Sequence, residues 1–144
     1  SHIRVDAATN GPEVDQFGRC SDPSYFAAGN VLRAIETAGW CWQEGRSVAT
    51  AILAALKGRL PDRSNAHRLS NLGDPIAYAV PQLRVASAVP PAFEAVQLRF
   101  SRPARGTAKF GATSYRLKSR PERRITVPLP QDDTPMTLSF DEAT

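Results

Sequence analysis

The residues best placed to do chemistry in this chain lie between Cys20 and Glu44. Tyr25-Phe26-Ala27-Ala28 is a short apolar run that reads as a buried strand, and Gly29-Asn30 ends it. A helix is expected to follow from near Glu36 to Lys57. Where a strand stops at a glycine and hands over to a helix, open α/β sheets bind ligands, because the strand's carboxyl end and the helix N-terminus meet there. The helix start offers free N–H groups and about half a positive charge. The turn at Gly29-Asn30 and the helix start behind it are therefore where a ligand is expected. Gly29 allows close backbone approach, and the Asn30 amide both accepts and donates hydrogen bonds. Thr37 and Ala38, with Glu36, form the expected first turn. Glu36 is expected to cap its own helix or face solvent, since its charge would oppose an anionic ligand.

Other reactive side chains form no constellation. Cys20 and Cys41 lie too far apart for a C-x-x-C motif and are expected to be buried structural thiols. Cys41 is the better candidate for a reactive thiol, because it sits near a helix start. His2 and His67 have no triad or ligand partner at a useful spacing. Trp40 and Trp42 flank Cys41 and point about 200° apart on a helix, so they cannot face the same site. Core packing is the bland reading of both.

The elements around these residues follow from periodicity. Val48, Ala49, Ile52, Leu53 and Leu56 recur at helical spacing, and Gly58 suits a left-handed stop. Gly39 and Gly45 each lower helix propensity by about 1 kcal/mol. Their presence suggests close approach by a ligand or backbone, or plain packing on a sheet. Beyond the Gly58 to Pro75 stretch the period changes to two. Leu83 and Val85; Val96, Leu98 and Phe100; Tyr115 and Leu117; Ile125, Val127 and Leu129; and Met136, Leu138 and Phe140 each mark a half-buried strand. Ten of the twelve prolines lie at or after Pro61, which places them at edges and turns of that half. The fold class is α+β: short strands and one long helix, then an antiparallel sheet or sandwich of five or six strands.

The chain has 144 residues, 42% hydrophobic, with a net charge of +4. No apolar window approaches the roughly 20 residues a membrane helix needs. Ser1-His2 reads as a cloning remnant, so the fragment is expected to begin inside a longer protein, in a reducing, cytoplasmic setting. Nine basic residues fall between Arg99 and Arg124 against Glu122 alone. Such a run is an electrostatic footprint, but its aromatics lack single-strand-binding spacing. A solvated strand face is the stronger reading and nucleic-acid binding the weaker; a phosphate-bearing cofactor or an acidic partner surface lies between.

The run from Val14 to Leu56 resembles the C-terminal flavin-contacting segment of the pyridine nucleotide-disulfide oxidoreductase superfamily. The resemblance rests on Asp15-Gln16-Phe17-Gly18-Arg19-Cys20-Ser21-Asp22-Pro23, then Tyr25-Phe26-Ala27-Ala28-Gly29-Asn30, then Glu36-Thr37-Ala38-Gly39-Trp40-Cys41-Trp42-Gln43-Glu44-Gly45-Arg46. Cys20 stands where the family has Thr, and Asn30 where it has the Asp that bonds the ribityl hydroxyls of FAD. The resemblance implies that Gly29, Asn30, Thr37 and Ala38 bind the cofactor: Gly29 allows backbone approach, Asn30 contacts the ribityl chain, and N–H groups near Thr37 and Ala38 face the flavin's pyrimidine edge. It implies an FAD-dependent oxidoreductase exchanging electrons with NAD(P)H or another acceptor. No G-x-G-x-x-G occurs in the chain, so the pyrophosphate and NAD(P)H sites are expected upstream. Residues 3–57 would then be the C-terminal segment of an FAD-binding α/β domain, 58–74 a linker, and 75–142 an antiparallel β domain. The fragment is expected to be inactive alone and to dock on the remainder of the flavoenzyme, a partner subunit or a second copy. The competing class is a non-catalytic partner-binding or assembly module.

Overall fold

The computed structural model describes residues 2–34, 36–70, 72–130 and 135–143. Ser1 therefore lies outside the described residues. The fold is α+β, with one long helix and small antiparallel sheets. Helix α1 is Ala38–Leu56. The strands are β1 (His67–Arg68), β2 (Ile76–Val80), β3 (Leu83–Arg84), β4 (Ala95–Phe100), β5 (Ala104–Phe110), β6 (Thr113–Ser119), β7 (Arg124–Pro128) and β8 (Leu138–Glu142). Two sheets have three strands each, ordered β2-β4-β7 and β6-β5-β8, and β1 pairs with β3.

Alternation along the strands builds the larger core. Val96, Leu98 and Phe100 of β4 and Val127 of β7 meet Ala108 and Phe110 of β5 and Leu138 of β8. The Phe100 and Phe140 rings pack edge to face, 5.3 Å between centroids, an arrangement the ring quadrupoles favour. All five strands expected from the two-residue period are present. Three strands are additional, β1, β2 and β5, and β2 and β5 complete two three-stranded sheets that share a core, the sandwich alternative of the expectation.

The opposite face of β2-β4-β7 positions the candidate site. Tyr78 stands opposite Arg99, and Arg99 opposite Arg124; Val80 pairs with Gln97, and Gln97 with Thr126. A second core covers this side, where Val14, Cys20, Ala27, Leu32 and Val48 pack with Val80 and Phe93. Residues on both sides of the 58–74 stretch therefore share one core. Backbone bonds add to it: Gln82 N–H donates to the Val14 carbonyl (3.1 Å), and Phe93 N–H to that of Gln16 (2.8 Å). Within the 58–74 stretch, β1 pairs with β3 and Ser70 bridges to Thr137.

Three local expectations are corrected. The helix begins at Ala38, two residues later than expected, because the Thr37 hydroxyl accepts the Trp40 N–H (3.3 Å) and makes Thr37 the N-cap. It ends as expected, with Gly58 at φ +69°. Tyr25–Ala28 contributes a single bridge, Arg19 to Phe26, and Tyr25 is exposed. That run meets a neighbour on one side only, through bonds to Gly18 and Cys20. Finally, Arg99 and Arg124 are largely buried and paired, whereas Arg102, Lys109 and Arg120 hold exposed ion pairs. The solvated-face reading therefore fits only part of the basic run.

Candidate functional site: the Gly29-Asn30 turn and the start of helix α1

Gly29 opens a short 3-10 turn, Gly29–Val31. Its φ of +78° is a left-handed value that costs an L side chain about 1–2 kcal/mol. Space is not the constraint, since an added Cβ would meet Cys41 at an ordinary 3.5 Å. The next layer is tighter. A Cβ on Gly11 would lie 2.4 Å from the Val31 and Leu32 carbonyls, so only glycine lets the Asn10-Gly11 turn press against this one.

Gly29 itself is buried and its backbone is engaged. Its N–H donates to Glu44 (2.7 Å), and its carbonyl accepts from Leu32 N–H (3.0 Å) and Arg33 (3.3 Å). Asn30 is exposed, and its side-chain oxygen accepts the Glu36 N–H at 2.7 Å. That bond ties the turn to the residue just before the N-cap. Among the described residues the Asn30 amide nitrogen has no acceptor. Thr37, Ala38 and Gly39 are exposed beside it. Trp40 N–H is capped, so the N–H groups of Ala38 and Gly39 are the first-turn donors with no intrahelical acceptor. Asn30, Thr37 and Ala38 thus meet at one open corner, with Gly29 as the buried pivot beneath.

An ionic network that the sequence reading did not identify holds this corner on the sheet. The Arg33 and Glu44 side chains are 1% and 4% exposed and meet in a two-pronged pair, both bonds 2.6 Å. Gln97 accepts from Arg33, and the Trp40 indole N–H donates to Glu44 (3.2 Å). Burial alone would raise the Glu44 pKa, but the bonds from Arg33 and from Gly29 N–H, the Arg33 charge and Gln97 outweigh it and hold the carboxyl below its ordinary value. Glu36 is the clearest departure from expectation. Its side chain is 2% exposed and lies among Arg33 (3.7 Å), Arg99 (3.1 Å) and Arg124. It neither caps α1 nor faces solvent, because three guanidinium groups compensate its burial. The one available signal was that Gln97 and Arg99 alternate with core residues, which put them on a shared face without naming what covers it.

The remaining candidates separate. Cys20 is buried, and burial is the main cause that pushes its thiol pKa up, against the pull of Arg63. Cys41 is half-buried against Gly29. Trp40 stacks under the Arg124 guanidinium at 3.6 Å, while Trp42 is 62% exposed with Arg46 over its ring. No cluster of metal-ligating side chains occurs among the described residues. No described helix is long and apolar enough to cross a membrane. No family model, curated protein or solved structure matches the chain.

Proposed function

We propose that this chain is the C-terminal part of an FAD-dependent oxidoreductase of the pyridine nucleotide-disulfide type, linked to NAD(P)H or another acceptor. The observation that carries the reading is the open corner: the exposed Asn30 amide bonded to the residue before the N-cap, beside the exposed Ala38 and Gly39 N–H groups. These donors suit a sugar-alcohol chain and the edge of a ring that gains negative charge on reduction. The fit covers that part of FAD only, since the chain holds no glycine-rich pyrophosphate turn. The flavin would supply the hydride chemistry. This chain's residues orient it: Asn30 toward the ribityl hydroxyls, the α1 start toward the pyrimidine edge, and Gly29 with Glu44 and Arg33 fixing the turn.

A second feature supports docking on further protein. Helix α1 buries Glu44, Val48 and Ala51, yet Trp42, Ala49, Leu53 and Leu56 form another apolar stripe that is exposed. A lone exposed leucine means little, but a stripe along a helix marks a covered face. The remainder of the flavoenzyme is the occupant in this reading. In the assembly-module reading a partner subunit takes its place. Visible absorbance separates the two. The full-length polypeptide that contains this chain is purified after FAD addition and its flavin band measured. A yellow protein supports the oxidoreductase, and a colourless one supports the module.

A further inference from the structure

Arg99 on β4 and Arg124 on β7 stand directly opposite each other on the face that α1 covers. Like charges in that register destabilise a sheet unless something lies between them. Glu36 does so, accepting from Arg99 (3.1 Å) and from Arg124. Arg33, 3.7 Å from Glu36, adds a third positive charge, and its terminal donors are engaged with Glu44, Gln97 and the Gly29 carbonyl. The Glu36 carboxylate therefore serves Arg99 and Arg124 at once, with Arg33 beside them. The Arg124 Nε is buried with no acceptor among the described residues. Burial, then the Arg33 charge, pushes the Arg124 pKa down. Positive charge is in surplus here.

The same residues border open space. Four arginines, Arg33, Arg99, Arg123 and Arg124, and two glutamates, Glu36 and Glu122, line an open cavity of about 850 Å³, so guanidinium groups outnumber carboxylates there. That size lies within the range of about 300–1,000 Å³ common to small-ligand sites. Arg123 is exposed and has no carboxylate partner among the described residues. We propose that this cavity binds a small anion carrying a carboxylate or phosphate group, gripped by Arg99 and Arg124 with Arg123 at its mouth. Planar guanidinium forks suit two-pronged, charge-assisted bonds to such groups. The inference does not depend on the flavin reading, since it uses a different set of donors.

Trp40 provides the readout, because it stacks under Arg124. In a Trp42→Phe background it is the sole tryptophan of the chain. The 144-residue chain is titrated separately with acetate and with inorganic phosphate, chloride holding ionic strength constant. A saturable change in Trp40 fluorescence is expected with at least one of them, and the preferred anion tells carboxylate from phosphate. Arg99→Gln is expected to weaken binding about tenfold or more, the loss of one charge-assisted contact. Arg123→Gln leaves the Glu36 pairs intact, so it tests the site even if Arg99→Gln fails to fold; a few-fold weakening is expected. No saturable response to either anion, or an unchanged affinity in Arg123→Gln, overturns the proposal.

Discussion

Removing the Glu44 carboxylate should destabilise the fold far more than removing the whole Arg33–Glu44 pair. Glu44 accepts from both terminal nitrogens of Arg33, from Gly29 N–H and from the Trp40 indole. In Glu44→Ala the Arg33 guanidinium, whose side chain is 1% exposed, loses its closest counter-charge. Breaking a buried pair in this way costs about 3–5 kcal/mol. A domain of this size has about 5–15 kcal/mol of stability in total, so the urea midpoint should drop by about a fifth or more. Replacing both groups, as in Arg33→Met/Glu44→Leu, removes the stranded charge together with its partner. The double variant should then be more stable than Glu44→Ala alone. Urea titrations followed by far-UV circular dichroism give midpoint and slope for each. A Glu44→Ala loss under about 1 kcal/mol, or a double variant as unstable as the sum of the singles, would refute the network's role.

Further outcomes follow from the same geometry. The folded-state Glu44 pKa lies below its ordinary value of 4.5, so its contribution is complete above that pH and is lost as pH falls through the folded pKa. Wild type should lose more stability on acidification than Glu44→Gln, as denaturant titrations across that window will show. Gly29→Ala should cost about 1–2 kcal/mol through its φ alone, because the Cβ fits against Cys41; a neutral effect in thermal melts would contradict this. Leu53→Lys with Leu56→Glu should change the stability of the chain by no more than about 0.5 kcal/mol, because both side chains are exposed; a loss above about 1 kcal/mol in thermal melts would contradict this. Thiol labelling at neutral pH should modify Cys41 well before the buried Cys20. Equal rates would show that Cys20 is reached from solvent.

Periodicity carried most of the fold. Helix α1 and the strands around Leu83, Leu98, Tyr115, Val127 and Leu138 each repeat apolar residues at the spacing of their element. Strand β5 had no such signal, because Ala104, Gly106 and Ala108 point inward as small residues. An added Cβ on Gly106 would fall 2.2 Å from the Asp141 carbonyl, so the strand must be small where β8 crowds it. Strand β2 reads as a continuous apolar run, Ile76-Ala77-Tyr78-Ala79-Val80, because both of its faces meet protein. At the site, the Gly29-Asn30 turn was legible from its residue types. The Glu36 and Glu44 contacts were not, since a partner 63 residues away, as for Arg99, leaves no local pattern. The charge run signalled surplus positive charge but not which two arginines turn inward.

The most direct measurement of the central claim is flavin affinity in the longer flavoenzyme proposed to contain this chain, followed by quenching of FAD fluorescence. The account predicts saturable binding that Asn30→Leu weakens about tenfold for one lost hydrogen bond, while Asn30→Asp, whose second carboxylate oxygen replaces the amide donor with an acceptor for a ribityl hydroxyl, retains it. Equal affinity in wild type and Asn30→Leu, or no binding in either, would contradict it.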